Sequence, residues 1–92
     1  MDKFLITGAS SGIGRAVAIR LASRGAKLTL SGRSETKLAE VATACTGAAY
    51  IESIASDLTV PHAAESLVAK ANESMGGIDC VIHCAGIGLI KP

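Results

Sequence analysis

The sequence is short of several things, and each shortage removes a class of function. It has no tryptophan, and Phe4 and Tyr50 are its only other aromatic residues, so it offers no platform on which nucleic-acid bases could stack. Its formal net charge is only +1, with basic and acidic residues mixed along the chain, so no basic run marks a phosphate-backbone footprint. Its longest near-apolar run, Cys80 to Ile90, is interrupted by His83 and two glycines, and falls short of the roughly 20 residues that span a bilayer. The N-terminus, Met1-Asp2-Lys3-Phe4-Leu5-Ile6-Thr7-Gly8, carries no sustained apolar region and no cleavage site. No secretory signal is therefore expected, no membrane association follows, and a cytoplasmic protein is the default. Internal repeats, low-complexity tracts and linkers are also missing.

Cysteine is scarce and odd in number: Cys45, Cys80 and Cys84 fit a reducing compartment. Cys80 and Cys84 read as residues of one strand, which puts their Cα atoms roughly 13 Å apart, beyond the roughly 7 Å reach of a disulfide. Cys80-Val81-Ile82-His83-Cys84 resembles a metal-ligand cluster only superficially. Neighbours on a strand face opposite ways, and no fourth ligand is evident. Buried thiols are the expectation, and no metal.

What is present is a well-buried soluble composition. Of 92 residues, 49% are hydrophobic and 18% charged, which suits one compact domain spanning residues 1–92 and argues against disorder. The pattern then alternates. Lys3–Thr7 reads as a strand, and Gly12–Ser23 as a helix, with Gly25 where a helix C-terminal glycine belongs. Ala26–Ser31 is a second strand. Ser34 is a candidate N-cap for a helix whose apolar face is Leu38, Val41, Ala42 and Cys45, ended by Gly47. Ala49–Ile54 is a third strand, followed by an Asp57-Leu58-Thr59 loop. Pro61 is expected near the first turn of a third helix that buries Ala64, Leu67, Val68, Ala71 and Met75 and stops at Gly76-Gly77. Ile78–Cys84 is a fourth strand.

The order βαβαβαβ excludes hairpins between successive strands. It predicts an α/β fold with a doubly wound, Rossmann-like parallel sheet, right-handed crossovers and helices on both faces.

Chemistry concentrates at the first strand–helix junction. Gly8, Gly12 and Gly14 have the spacing G-x-x-x-G-x-G between a strand and a helix. Glycines allow a tight turn and a close backbone approach, and the first N–H groups of a helix have no intrahelical partner, so the junction suits a pyrophosphate. Ser10 and Ser11 would add hydroxyl or backbone donors. A Walker A loop is excluded because its lysine is absent. Gly8-Ala9-Ser10-Ser11-Gly12 also satisfies G-x-S-x-G, the nucleophile elbow of serine hydrolases, with Ser10 as nucleophile and Asp57 or Asp79 with His83 as partners. The elbow leaves Gly14 unexplained. With only six residues before Thr7, there is also no room for an oxyanion-hole loop.

The second strand ends Leu30-Ser31-Gly32-Arg33-Ser34, with no carboxylate at 31–33 to bind a ribose 2′-hydroxyl. Arg33 instead offers a forked cation for a 2′-phosphate, which favours NADP over NAD. Glu35 lies inside the next helix and serves that helix's positive end.

These residues carry a family resemblance. Thr7-Gly8-Ala9-Ser10-Ser11-Gly12-Ile13-Gly14 resembles the TGxxxGxG cofactor motif of short-chain dehydrogenases/reductases, and Gly32-Arg33-Ser34 resembles the NADP-preferring form of the second-strand turn. Asp57-Leu58 matches the aspartate after the third strand, whose carboxylate meets the adenine amine. His83-Cys84-Ala85-Gly86 occupies the place of NNAG, with both asparagines replaced. The resemblance implies a sheet order of 3-2-1-4 and an NADP site formed by Gly8, Ser10, Ser11, Gly12, Ile13, Gly14, Arg33, Ser34, Asp57, Leu58, Cys84, Ala85 and Gly86. It also implies hydride transfer between NADP(H) and a carbonyl or alcohol substrate.

Many NADP-using members carry a basic residue where this chain has Ser11, which leaves Arg33 with Arg15 as a possible helper. The family's catalytic serine and Tyr-x-x-x-Lys pair lie beyond the fourth strand, and Tyr50 has no lysine four places on. No catalytic residue is therefore assigned. Two expectations follow: the chain is the cofactor-binding part of an oxidoreductase, or it is a non-catalytic nucleotide-binding or interaction module. With no fifth strand beside it, the fourth is expected to form an apolar edge (Val81, Ile82, Cys84) that pairs with another chain.

Overall fold

The computed structural model describes residues 2–84. Its elements run β1 (Lys3–Thr7), α1 (Gly12–Ser23), β2 (Lys27–Gly32), α2 (Glu35–Ala44), β3 (Tyr50–Ala55), α3 (Ala63–Met75) and β4 (Cys80–His83). The four strands form one parallel sheet in the order β3-β2-β1-β4. The expected fold class and strand order are both observed.

Alternation along β1 and β2 divides the core. Ile6, Leu28 and Leu30 face α1 and α2, where they meet Ala18, Ala22, Leu38 and Val41. Leu5 faces the other way and packs with Leu67, Ala71 and Met75 of α3. β1 is flanked by a strand on each side and covered on both faces, which is why Leu5 and Ile6 are fully buried. α1 lies close to the sheet because its buried positions, Gly14, Ala18 and Ala22, recur every fourth residue and are all small.

Local chemistry fixes the ends. Ser11 caps α1 by accepting from Gly14 N, and Ser34 caps α2 by accepting from Lys37 N. Gly25, with φ 81°, follows α1, and Gly76, with φ 73°, caps the C-terminus of α3; both use a left-handed conformation that glycine adopts without steric cost.

α3 begins at Ala63, with Pro61 two residues ahead of it, near the first turn as expected. Its cap, His62, is the one described non-glycine residue with positive φ, at 66°. Several expectations need correction. Ala64 and Val68 are exposed, because only the Leu67-Ala71-Met75 row of α3 reaches the sheet. Cys80 is exposed rather than buried, because among the described residues β4 is an edge strand paired only with β1. Cys45 and Cys84 are buried as expected, and burial raises the pKa of both thiols. Cys84 itself falls just after β4.

Candidate cofactor site

The carboxyl ends of the parallel strands converge, and the β1–α1, β2–α2 and β3–α3 connections close over them. Ala9 N donates to Ser31 O at 2.9 Å, Ser56 N to Gly32 O at 2.8 Å and Cys84 N to Thr7 O at 3.0 Å, which ties the four strand ends together. Between these connections lies a cleft of about 700 Å³. It falls within the roughly 300–1,000 Å³ typical of ligand sites, and it lies where open α/β sheets bind ligands.

The β1–α1 turn supplies one wall. Gly8 turns the chain with φ 67°. Ser11 Oγ donates to Gly8 O at 2.7 Å and accepts from Gly14 N at 3.0 Å, so that hydroxyl is consumed in building the turn. The Gly12 and Ile13 N–H groups at the tip of α1 have no protein acceptor among the described residues, and no acidic side chain occupies that first turn. An uncompensated positive helix end with free N–H donors attracts an anion.

The three glycines do different work. A Cβ on Gly14 would lie 2.2 Å from Gly8 O, so this glycine exists to let α1 press against the turn. A Cβ on Gly12 would meet nothing within 4 Å, so the fold itself does not require glycine there.

The ends of β2 and β3 supply the opposite wall with Arg33, Ser34, Asp57 and Leu58. Thr59 donates its hydroxyl to Asp57 Oδ1 at 2.6 Å and its N–H at 3.0 Å. These bonds, with Arg33 adding to them, hold the Asp57 carboxyl below its ordinary range and keep it an acceptor. Arg33 Nε stands 3.9 Å from Asp57 Oδ1, and both side chains are largely exposed. Such a pair is weak and leaves the guanidinium fork available to an anion.

Of the residues expected here, Gly8, Ser10, Ser11, Arg33, Ser34, Asp57 and Leu58 line the cleft. Gly12, Ile13 and Gly14 form the helix tip beside it without lining it. Cys84 is buried in the core and meets the site only through its backbone, and Ala85 and Gly86 lie outside the described residues.

Two lining residues, Lys37 and Ser56, escaped the sequence reading. Lys37 stands in the first turn of α2. His83 is brought opposite Thr7 by the β1–β4 register, and Thr7 Oγ1 and His83 Nδ1 share a hydrogen bond of 2.6 Å. His83 thus uses its side chain to secure the end of β1 to the end of β4.

The hydrolase arrangement does not assemble. Ser10, Asp57 and His83 all line the cleft, but His83 Nδ1 is taken by Thr7 and Asp57 is held by Thr59. Asp79 bonds Lys3 N at the opposite end of the sheet, and Ser10 lacks the positive φ of a strained elbow. Tyr50 opens β3 at that same far end, and burial and the neighbouring Glu52 raise its pKa, the reverse of what a catalytic tyrosinate needs. No group of three or more metal-ligating side chains occurs among the described residues, and none of their helices is long and apolar enough to cross a membrane.

Comparison with known proteins agrees with this geometry. The family model for short chain dehydrogenases matches residues 2–92. An uncharacterised oxidoreductase of Staphylococcus saprophyticus is 41% identical over 87 residues, covering 92% of this chain and 37% of that protein. A solved NADH-dependent reductase complexed with NAD superposes with a TM-score of 0.72 at 32% identity, over 87% of this chain and 34% of that one. The alcohol dehydrogenase of the archaeon Thermococcus sibiricus, complexed with 5-hydroxy-NADP, superposes with a TM-score of 0.77 at 32% identity, over 86% and 35%. The chain thus spans about a third of the length of the relatives it matches. With its 3-2-1-4 parallel sheet, its glycine turn and this match along residues 2–92, the chain belongs to the short-chain dehydrogenase/reductase family of nicotinamide-dinucleotide oxidoreductases.

Proposed function

We propose that this chain is the N-terminal, NADP-binding part of a cytoplasmic oxidoreductase that moves hydride between NADP(H) and a carbonyl or alcohol carbon of a small-molecule substrate. The observation that carries the cofactor choice is Arg33. It stands at the end of β2 on the cleft wall, with no carboxylate at 31–33 to take its place. An acidic residue there would hold the ribose 2′-hydroxyl of NAD and repel the 2′-phosphate of NADP, whereas a guanidinium favours the phosphate.

The chain's own groups divide the task. The tip of α1 offers the Gly12 and Ile13 N–H groups to the pyrophosphate. Asp57, kept ionised by Thr59, accepts from the adenine amine. Arg33 and Ser34 hold the 2′-phosphate end. The nicotinamide supplies the hydride chemistry. The serine and Tyr-x-x-x-Lys pair that handle the proton in this family have no counterpart among these 92 residues, so the substrate and proton steps belong to sequence outside them. The exposed β4 edge supports association of the chain through that strand, either with a second copy or with a further part of the same protein.

Fluorescence titration with NADPH and NADH tests the reading. NADPH should bind more tightly, and Arg33→Ala should erase the difference. Tighter NADH binding in the parent, or an undiminished NADPH preference in Arg33→Ala, would overturn it.

A further inference from the structure

The 2′-phosphate of NADP is a dianion near neutral pH, and a single exposed arginine is a slender match for it. A second cation could come from three places. The residue before the second glycine is Ser11, which is neutral, and its hydroxyl is already committed to Gly8 O and Gly14 N. Arg15 does not line the cleft; its charge is felt instead at Cys45, beyond the far end of α2. Lys37 remains, and it lines the cleft together with Gly32, Arg33 and Ser34.

Three further observations bear on Lys37. Its backbone is fixed, because Lys37 N donates to Ser34 Oγ at 3.2 Å in the capping bond of α2. Lys37 stands in the first turn of a helix, where the helix's positive end disfavours a cation, so its charge does nothing for the helix. No carboxylate lies within ion-pairing distance of it among the described residues, whereas Arg33 shares its charge with Asp57 at 3.9 Å. The lysine is therefore the uncompensated positive charge on this wall of the cleft. Ser34, between the two cations in sequence, caps the first turn of α2, and all three residues line the cleft.

We propose that Lys37 is the second cation of 2′-phosphate recognition. It acts from the first turn of α2 as Arg33 acts from the end of β2, and the two together make the chain select NADP. Arg33 gives a planar, forked contact, while Lys37 gives a mobile point charge that follows the phosphate. This rests on the NADP reading above.

The test uses two small probes, adenosine 2′,5′-bisphosphate and adenosine 5′-monophosphate, titrated into the parent chain and into Lys37→Gln, Lys37→Arg and Arg33→Ala by calorimetry at low and high salt. The parent should prefer the bisphosphate, and more so at low salt. Lys37→Gln should weaken bisphosphate binding about tenfold, the scale of one charge-assisted hydrogen bond, with unchanged affinity for the monophosphate and a shallower salt dependence. Lys37→Arg should keep the preference. If Lys37→Gln binds the bisphosphate as the parent does while Arg33→Ala loses it, the lysine assignment is wrong and the NADP reading stands. If Lys37→Gln loses both probes equally, the lysine acts on the fold and the assignment is again wrong. If the parent shows no preference for the bisphosphate, or binds neither probe, the NADP reading falls and this inference with it.

Discussion

Gly12 and Gly14 differ by one helical residue and by everything that surrounds them, and a matched pair of alanine substitutions should separate their roles. In Gly14→Ala the new methyl would lie 2.2 Å from Gly8 O, 2.8 Å from Ala9 Cα and 2.9 Å from Gly8 C, all backbone atoms, where ordinary contact begins at 3.4 Å. To relieve the shortest contact, α1 must retreat by about 1.2 Å from the turn. That retreat would break the Ser11 bonds to Gly8 O and Gly14 N, now 2.7 and 3.0 Å. Overpacking costs about 1–3 kcal/mol and a lost N-cap about 1 kcal/mol. Against these stands a gain of up to about 1 kcal/mol from replacing glycine by alanine in a helix. The net is a loss of about 1–3 kcal/mol, which for a domain of this size lowers the melting temperature by roughly 4–8 °C per kcal/mol.

Gly12→Ala has open space around the new methyl and no positive φ to strain it. It should leave stability unchanged or raise it by up to about 1 kcal/mol. Its cost should appear only in binding, because the methyl occupies the approach of a pyrophosphate to the tip of α1. Urea unfolding and NADPH titration of the two variants provide the assay. An unchanged urea midpoint in Gly14→Ala would refute the packing argument. Parental NADPH affinity in Gly12→Ala would refute the close-approach argument.

Four further outcomes are expected. Leu28→Ala removes a fully buried side chain from the larger core cluster and should cost about 2–5 kcal/mol in urea unfolding. His83→Val leaves the buried Thr7 hydroxyl without its 2.6 Å partner and should cost about 1–3 kcal/mol, with His83→Asn recovering part of the loss. Asp57, whose folded pKa lies below the usual 3.8, binds fewer protons folded than unfolded near that pH. Its contribution is present above 3.8 and drains as pH falls through the lower folded value, so Asp57→Asn should be less stable than the parent at neutral pH, and the gap should close in acid. Val81, half exposed on β4, should drive self-association that Val81→Lys suppresses in light scattering. A monodisperse monomeric parent at high concentration would contradict this.

The sequence shows most plainly what is local. β1 and α1 are legible to the residue, because the Thr7–Gly14 junction and the Gly25 stop are written in consecutive letters. The other strands are displaced or shortened by one or two residues at their ends, where tertiary pairing rather than pattern decides. Ala64, Val68 and Cys80 were expected to be buried and are not. Periodicity tells which residues are apolar, but not how far the sheet beneath them extends, and among the described residues β4 is the last strand on that side. Lys37 and the bond between Thr7 and His83 were missed for a related reason. Each reaches the cleft through a crossover or a strand register, and Thr7 and His83 are 76 positions apart in the chain. Arg33 and Asp57 were found because each stands within two residues of a strand's carboxyl end, the one place where a parallel sheet guarantees convergence.

The run of small residues along the buried side of α1 also sets how sensitive the site is to distant change. Gly14, Ala18 and Ala22 are the three buried positions of this helix, and about 12 Å separates the first from the last at 1.5 Å per residue. The helix therefore behaves as a lever resting on three thin supports. A bulkier residue at Ala22 would raise the far end and tip the near one, turning the Gly12 and Ile13 N–H groups away from the line they now hold. A substitution that never touches the cleft would then be read in an assay as a defect in cofactor affinity.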